Sequence, residues 1–127
     1  MRTCLSVAGC PGALVSGSLP APDEVIPHRA PFLFLTAVTE LELGLSASGH
    51  WQLTGDEDFF VGHFPGRPTL PGVLQCESIA QLGAYALLSD PAFSDRLALF
   101  GGVDRARFRR QVLPGDRLDL HVKLGRV

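Results

Sequence analysis

The sequence predicts an α+β domain: an antiparallel sheet wrapped around one long central helix at about residues 71–89. Three observations predict it. The segment from Pro71 to Ser89 is apolar on nearly every face, so it must be enclosed rather than laid on a surface. The segments before and after it read as strands, in the order strand, strand, helix, strand, strand. The third is that "RLDLHVKL", 117–124, alternates cleanly, with Leu118, Leu120, Val122 and Leu124 on one face and Arg117, Asp119, His121 and Lys123 on the other.

The elements follow in order. Residues 1–21 read as a flexible N-terminal tail, and 22–127 as the folded domain. "VAGC" at 7–10 resembles a lipoprotein cleavage box, but the apolar stretch Leu5–Ala8 is too short for a signal segment and Pro11 and Gly12 follow it at once. "PDEV", 22–25, places Pro before two acids, a short helix start. A strand is expected from Phe32 to about Glu42 and a second over 45–55, a hairpin around Gly44. "DEDFF" closes the pair with a short acidic loop. From Gly62 to Gly72, six of eleven residues are Gly or Pro, which demands an ordered, turn-rich loop. Pro71 opens the helix, where its missing N–H costs nothing. "DPAFSD" ends it, and 97–112 reads as a strand broken at Gly101–Gly102.

At 127 residues the chain is long enough for one domain. Hydrophobic residues make up 46%, charged residues 19%, and the net charge is −2. This balance excludes a disordered chain and leaves no global nucleic-acid or membrane footprint. Three scattered cysteines, Cys4, Cys10 and Cys76, form neither a disulfide framework nor a zinc motif. No run is long enough to span a membrane as a helix.

The candidate chemistry lies in "VGHFPGRPTLPGVLQCESIAQ", 61–81. Glu77 sits among Val73, Leu74, Ile79, Ala80 and Leu82. A carboxylate so placed is desolvated, which favours its neutral, proton-donating form. Gln81, one turn on, shares its face and can orient it. The competing reading makes Glu77 part of a solvated stripe with Gln75, Ser78 and Gln81. His63 is a general-base candidate by its ordinary titration range, or else a merely structural loop histidine. The Gly72 amide opens the helix with no internal acceptor and can polarise a carbonyl, or Gly72 simply permits a turn. Base, acid and carbonyl polariser together suit removal of an α-proton and loss of a β-hydroxyl as water. Cys76 reads as a small packing residue and His28 as a structural hydrogen-bonding residue. His50 and His121 have no partner in sequence.

"PHRAPFLF", "DEDFFVGHFPGRPTLPGVLQCESIAQ" and "GVDRARFRRQVLPGDRL" together closely resemble the β-hydroxyacyl-acyl carrier protein dehydratases of the FabZ type, collinearly from about residue 23 to 127. The resemblance implies a hot-dog fold. It implies a homodimer with shared active sites, usually assembled into a trimer of dimers, in which His63 of one subunit faces Glu77 of the other. It makes His63 the base at the α-carbon, Glu77 the group that handles the β-hydroxyl, and the Gly72 amide the partner of the thioester carbonyl. Glu rather than Asp at 77 resembles the dehydratase-only branch. The substrate would arrive on the phosphopantetheine of an acidic acyl carrier protein. Arg105, Arg107, Arg109 and Arg110 are a docking patch or an ordinary exposed strand face. Phe64, Leu99 and Phe100 would line the acyl tunnel. No cofactor, metal, nucleic acid or membrane is implied, and the location would be cytoplasmic.

Three features depart from the family pattern. Leu35, Thr36 and Ala37 stand where the family has Val-Asp-Arg, so an ion pair or cap near the first strand is expected to be lost. Leu99 replaces a frequent aromatic. The family's last two strands are missing after 117–124, which leaves strand edges open and helix surface uncovered, and makes the domain C-terminally incomplete. Two other readings stay open: a hot-dog acyl thioesterase, and a non-catalytic remnant that binds acyl carrier protein.

Overall fold

The computed structural model describes residues 2–7, 14–16 and 18–125. Its centre is helix α3, Gly72–Leu88, with Pro71 as N-cap and Ser89 as C-cap. Ile79, Leu82, Tyr85, Ala86 and Leu88 are all buried along it. Strands β3 (Ala37–Glu42), β4 (Ser46–Gln52) and β5 (Arg117–Leu124) pack against this helix. Their inward residues, among them Val38, Leu41, Ala47, Trp51, Leu118, Leu120 and Val122, form one core with it. This is the hot-dog arrangement.

β3 and β4 form the expected antiparallel hairpin, and β4 pairs antiparallel with β5 from Gln52↔Arg117 to Ser46↔Lys123. The hairpin turns at Gly44, whose φ of 76° lies in the left-handed region that glycine enters freely. Gly49, in β4, has a second reason to be glycine. A Cβ there would collide with the Ala37 carbonyl, opposite the register shift between Val38 and Glu40.

Two short helices complete the frame, α1 (Pro22–Val25) and α2 (Phe59–Gly62). The second replaces part of the acidic loop expected at "DEDFF". Glu57 prepares it: its two carboxylate oxygens accept the N–H groups of Thr54 and Gly55 at 2.7 and 2.9 Å. Burial pushes the Glu57 carboxyl up, but these amide bonds outweigh it and hold the group below its ordinary value.

Three expectations need correction. The first hairpin strand begins at Ala37, not Phe32, because the Phe34 backbone is bonded by helix side chains instead of a neighbouring strand. The segment 97–112 is not a strand: among the described residues no ladder partner lies beside it, and 97–111 is mostly exposed. Beside the first strand, Thr36 Oγ1 accepts the Gln52 N–H at 2.9 Å. The outer edge of 117–124 is not open. β1 (Arg2–Val7) pairs parallel with it, and β2 (Leu14–Ser16) pairs antiparallel with β3. The sheet order is therefore β1-β5-β4-β3-β2. Both added strands fall in the segment read as a tail. Unpaired strand edges favour such additions, since each backbone N–H and C=O away from water needs a partner. Cys10 and the end of the "VAGC" string lie outside the described residues.

Candidate active site

His63 is the C-cap of α2, its N–H donating to the Phe59 carbonyl at 3.1 Å. The loop after it folds back on itself. Phe64 and Arg67 exchange backbone hydrogen bonds at 3.1 and 2.8 Å, around Gly66 with φ 73°. The Thr69 N–H then donates to the His63 carbonyl at 2.9 Å, and the Leu70 N–H donates to the Val112 carbonyl at 2.8 Å. This ties the Gly- and Pro-rich loop to the segment that leads into β5. His63 Nδ1 lies 2.8 Å from the Thr69 carbonyl. A carbonyl only accepts, so Nδ1 is the donor, and in the neutral ring Nε2 carries the lone pair. The ring stacks on Phe64, centroid to centroid 4.0 Å.

Glu77 sits on α3 with its side chain 20% exposed. Gln81, one turn later and buried, donates to Glu77 Oε1 at 3.1 Å. The same amide donates to the Phe32 carbonyl at 3.0 Å and accepts the Phe34 N–H at 2.7 Å. The predicted pairing of 77 with 81 is therefore present, and Gln81 also stitches the helix to the segment before β3. Ser78 adds a bond to the Phe34 carbonyl at 2.7 Å, and Gln75 one to the Leu70 carbonyl at 3.5 Å. Gln75, Ser78 and Gln81 are thus not a solvated stripe: all three are buried.

His28 is the residue the sequence undervalued. Its Nε2 lies 3.6 Å from Glu77 Oε1. A separation of 49 positions hides this contact, and no periodicity could reveal it. Cys76, next to Glu77, has its thiol pushed up by burial, in keeping with a packing role.

Gly72 is the first residue of α3, so its N–H has no acceptor within the helix. It is not among the glycines with positive φ. A Cβ there would stand 2.9 Å from the ring of Phe108, so a larger residue at 72 must displace that half-exposed ring. Phe108 is a second site neighbour absent from the sequence reading.

The remaining candidates are not gathered. His63 and Glu77 make no hydrogen bond or ion pair with each other among the described residues. Phe64 lines two clefts of about 420 and 570 Å³, but Leu99 and Phe100 line neither. Leu99 is 80% exposed. Arg105, Arg107, Arg109 and Arg110 are exposed along the unpaired 97–111 run. None of the four forms an ion pair among the described residues. No three of His, Cys, Asp and Glu gather there to hold a metal ion, and no described helix is long and apolar enough to cross a membrane.

The family model for the FabA-like domain matches residues 26–127. Over 100 residues the chain is 56% identical to the 3-hydroxyacyl-acyl-carrier-protein dehydratase FabZ of Moorella thermoacetica, covering 79% of this chain and 70% of that protein. The protein of the same name from Desulforamulus reducens is 51% identical over 102 residues, 80% of this chain and 72% of the relative. That from Thermomicrobium roseum is 52% identical over 105 residues, 83% and 70% respectively.

Proposed function

The chain belongs to the FabA-like family, and we propose that it dehydrates (3R)-hydroxyacyl-acyl carrier protein to the trans-2-enoyl thioester and water in fatty-acid synthesis. The names of its relatives at about this identity support the reaction. The observation that carries the assignment of roles is the Thr69 carbonyl on His63 Nδ1. It commits that nitrogen to donation and leaves the Nε2 lone pair free, which supports a role as the base.

His63 Nε2 takes a proton from the α-carbon, and the electrons left behind flow toward the thioester carbonyl. The Gly72 N–H, at the positive end of α3, receives the charge that develops on the carbonyl oxygen. Collapse of this enolate forms the α,β double bond as the β-hydroxyl departs. Glu77 gives it a proton and water leaves. His63 then holds the proton taken from carbon, Glu77 is ionised, and net transfer of that proton restores both groups. The substrate is balanced: one hydroxyacyl thioester gives one enoyl thioester and one water.

His63 and Glu77 act across a dimer interface, one from each protomer. Their lack of contact within the chain supports this, as do the exposed apolar side chains of Val61 and Val73 beside them, at 79% and 75%. Arg105, Arg107, Arg109 and Arg110 form the docking face for an acidic acyl carrier protein in the cytoplasm. Their exposure and freedom from ion pairs support that role. Phe64 borders the acyl chain.

The test is the enoyl absorbance produced from a 3-hydroxyacyl thioester. Glu77→Gln and His63→Asn should each lower kcat by about 10²–10⁴-fold. Unchanged turnover in Glu77→Gln overturns the assignment, and release of free thiol without enoyl product marks a thioesterase instead.

A further inference from the structure

Two side-chain nitrogens converge on one oxygen of Glu77. Gln81 Nε2 is at 3.1 Å from Oε1, and His28 Nε2 is at 3.6 Å from the same atom. The other ring nitrogen of His28, Nδ1, is buried and has no hydrogen-bond partner among the described residues. A proton on Nδ1 would therefore be a buried, unpaired donor, the costlier arrangement. The neutral ring avoids it by carrying its hydrogen on Nε2, which then points at Glu77. The backbone around His28 is held in place by Arg29, whose guanidinium donates to the Ile26 and His28 carbonyls at 2.9 and 2.7 Å. That cation is engaged with carbonyls and forms no ion pair with Glu77. The remaining titratable neighbour on the helix, Cys76, is a thiol kept neutral by burial.

We propose that His28 is a positioning residue for Glu77: its Nε2–H and that of Gln81 together fix Oε1 as the accepting oxygen and leave Oε2 as the oxygen that gives its proton to the departing hydroxyl. The proposal rests on the dehydratase reading of Glu77. Its energetic logic is differential. As the proton leaves Oε2, negative charge spreads over the carboxylate, and both donors at Oε1 bind that charge more strongly than they bind the neutral acid. The 3.6 Å contact shortens as the charge appears, as catalytic hydrogen bonds commonly do between free and transition-state forms. His28 thus acts on turnover rather than on substrate affinity.

The experiment compares His28→Phe and His28→Gln in the full chain. The phenylalanine keeps ring bulk without a donor, and the glutamine restores an N–H. His28→Phe should lower kcat about tenfold, the worth of one charge-assisted bond, with KM within about twofold, and His28→Gln should recover most of the loss. A second readout needs no activity. Nitrogen-15 spectra of the wild-type imidazoles should show His28 with its hydrogen on Nε2, and that resonance should move in Glu77→Gln. The proposal is overturned by an Nδ1–H tautomer, by a resonance indifferent to residue 77, by an unchanged kcat in His28→Phe, or by a loss confined to KM. Should phenylalanine at 28 prevent folding, the wild-type spectrum decides alone. Absence of enoyl product in the wild type strikes the dehydratase reading, whereas the spectrum strikes the His28–Glu77 pairing.

Discussion

Replacing Gln81 by leucine tests the way α3 is held. The side chain is 1% exposed, and its amide satisfies two backbone groups of the segment before β3. The Phe34 N–H donates to Oε1 at 2.7 Å, and Nε2 donates to the Phe32 carbonyl at 3.0 Å. Leucine has nearly the same bulk, so packing changes little. What changes is that the Phe34 N–H, a buried donor, loses its partner, and the part-buried Phe32 carbonyl loses one of its own. A buried polar group left unpaired costs about 1–3 kcal/mol, so the two together give about 2–5 kcal/mol. Against a domain stability of about 5–15 kcal/mol that is a severe loss. The Ser78 bond to the Phe34 carbonyl does not compensate, because it serves the acceptor and not the N–H. The assay is urea unfolding at fixed protein concentration, since assembly adds to apparent stability. A Gln81→Leu protein within about 0.5 kcal/mol of wild type would refute the claim that these bonds seat the helix.

Two further outcomes are expected. Gly49→Val drives a side chain into the Ala37 carbonyl and should destabilise the β3–β4 pairing by about 1–3 kcal/mol or more, read as a lower unfolding midpoint. Glu57, whose carboxyl is held below its ordinary value, contributes stability that is fully present above its unfolded value and is lost as pH falls through the depressed folded one. Glu57→Gln should therefore cost under about 1 kcal/mol at neutral pH and flatten the acid side of the melting profile; an identical acid slope in both proteins would contradict this.

The central helix and β5 were legible because each obeys a period. The helix is apolar on nearly every face between Pro71 and Ser89, and 117–124 alternates without exception. The segment 97–112 also carries strand-like residues, yet it forms no strand, since a strand exists only through a ladder partner and composition cannot supply one. Phe32–Leu35 misled in the same way: its backbone bonds go to Ser78 and Gln81 on a distant helix. In the site, the 77–81 pair was readable from helical spacing. The Thr69 contact that sets the His63 tautomer depends on a six-residue turn closing back on itself. The approaches of His28 to Glu77 and of Phe108 to Gly72 join segments far apart in the chain, and sequence spacing carries no trace of them. The strands at 2–7 and 14–16 were passed over because short, weakly apolar runs gain strand character only from the edges they meet.

The buried polar residues of α3 bear on a different matter from strength. A cylinder that is greasy all round has no preferred rotation about its own axis; turning it exchanges one apolar contact for another at little cost. Gln75, Ser78 and Gln81 break that degeneracy. Their acceptors and donors, at Leu70, Phe32 and Phe34, stand at fixed points around the cylinder, and any other rotation leaves them stranded in hydrocarbon. One orientation of the helix is thereby singled out from many of similar compactness, and with it the direction in which Glu77 faces.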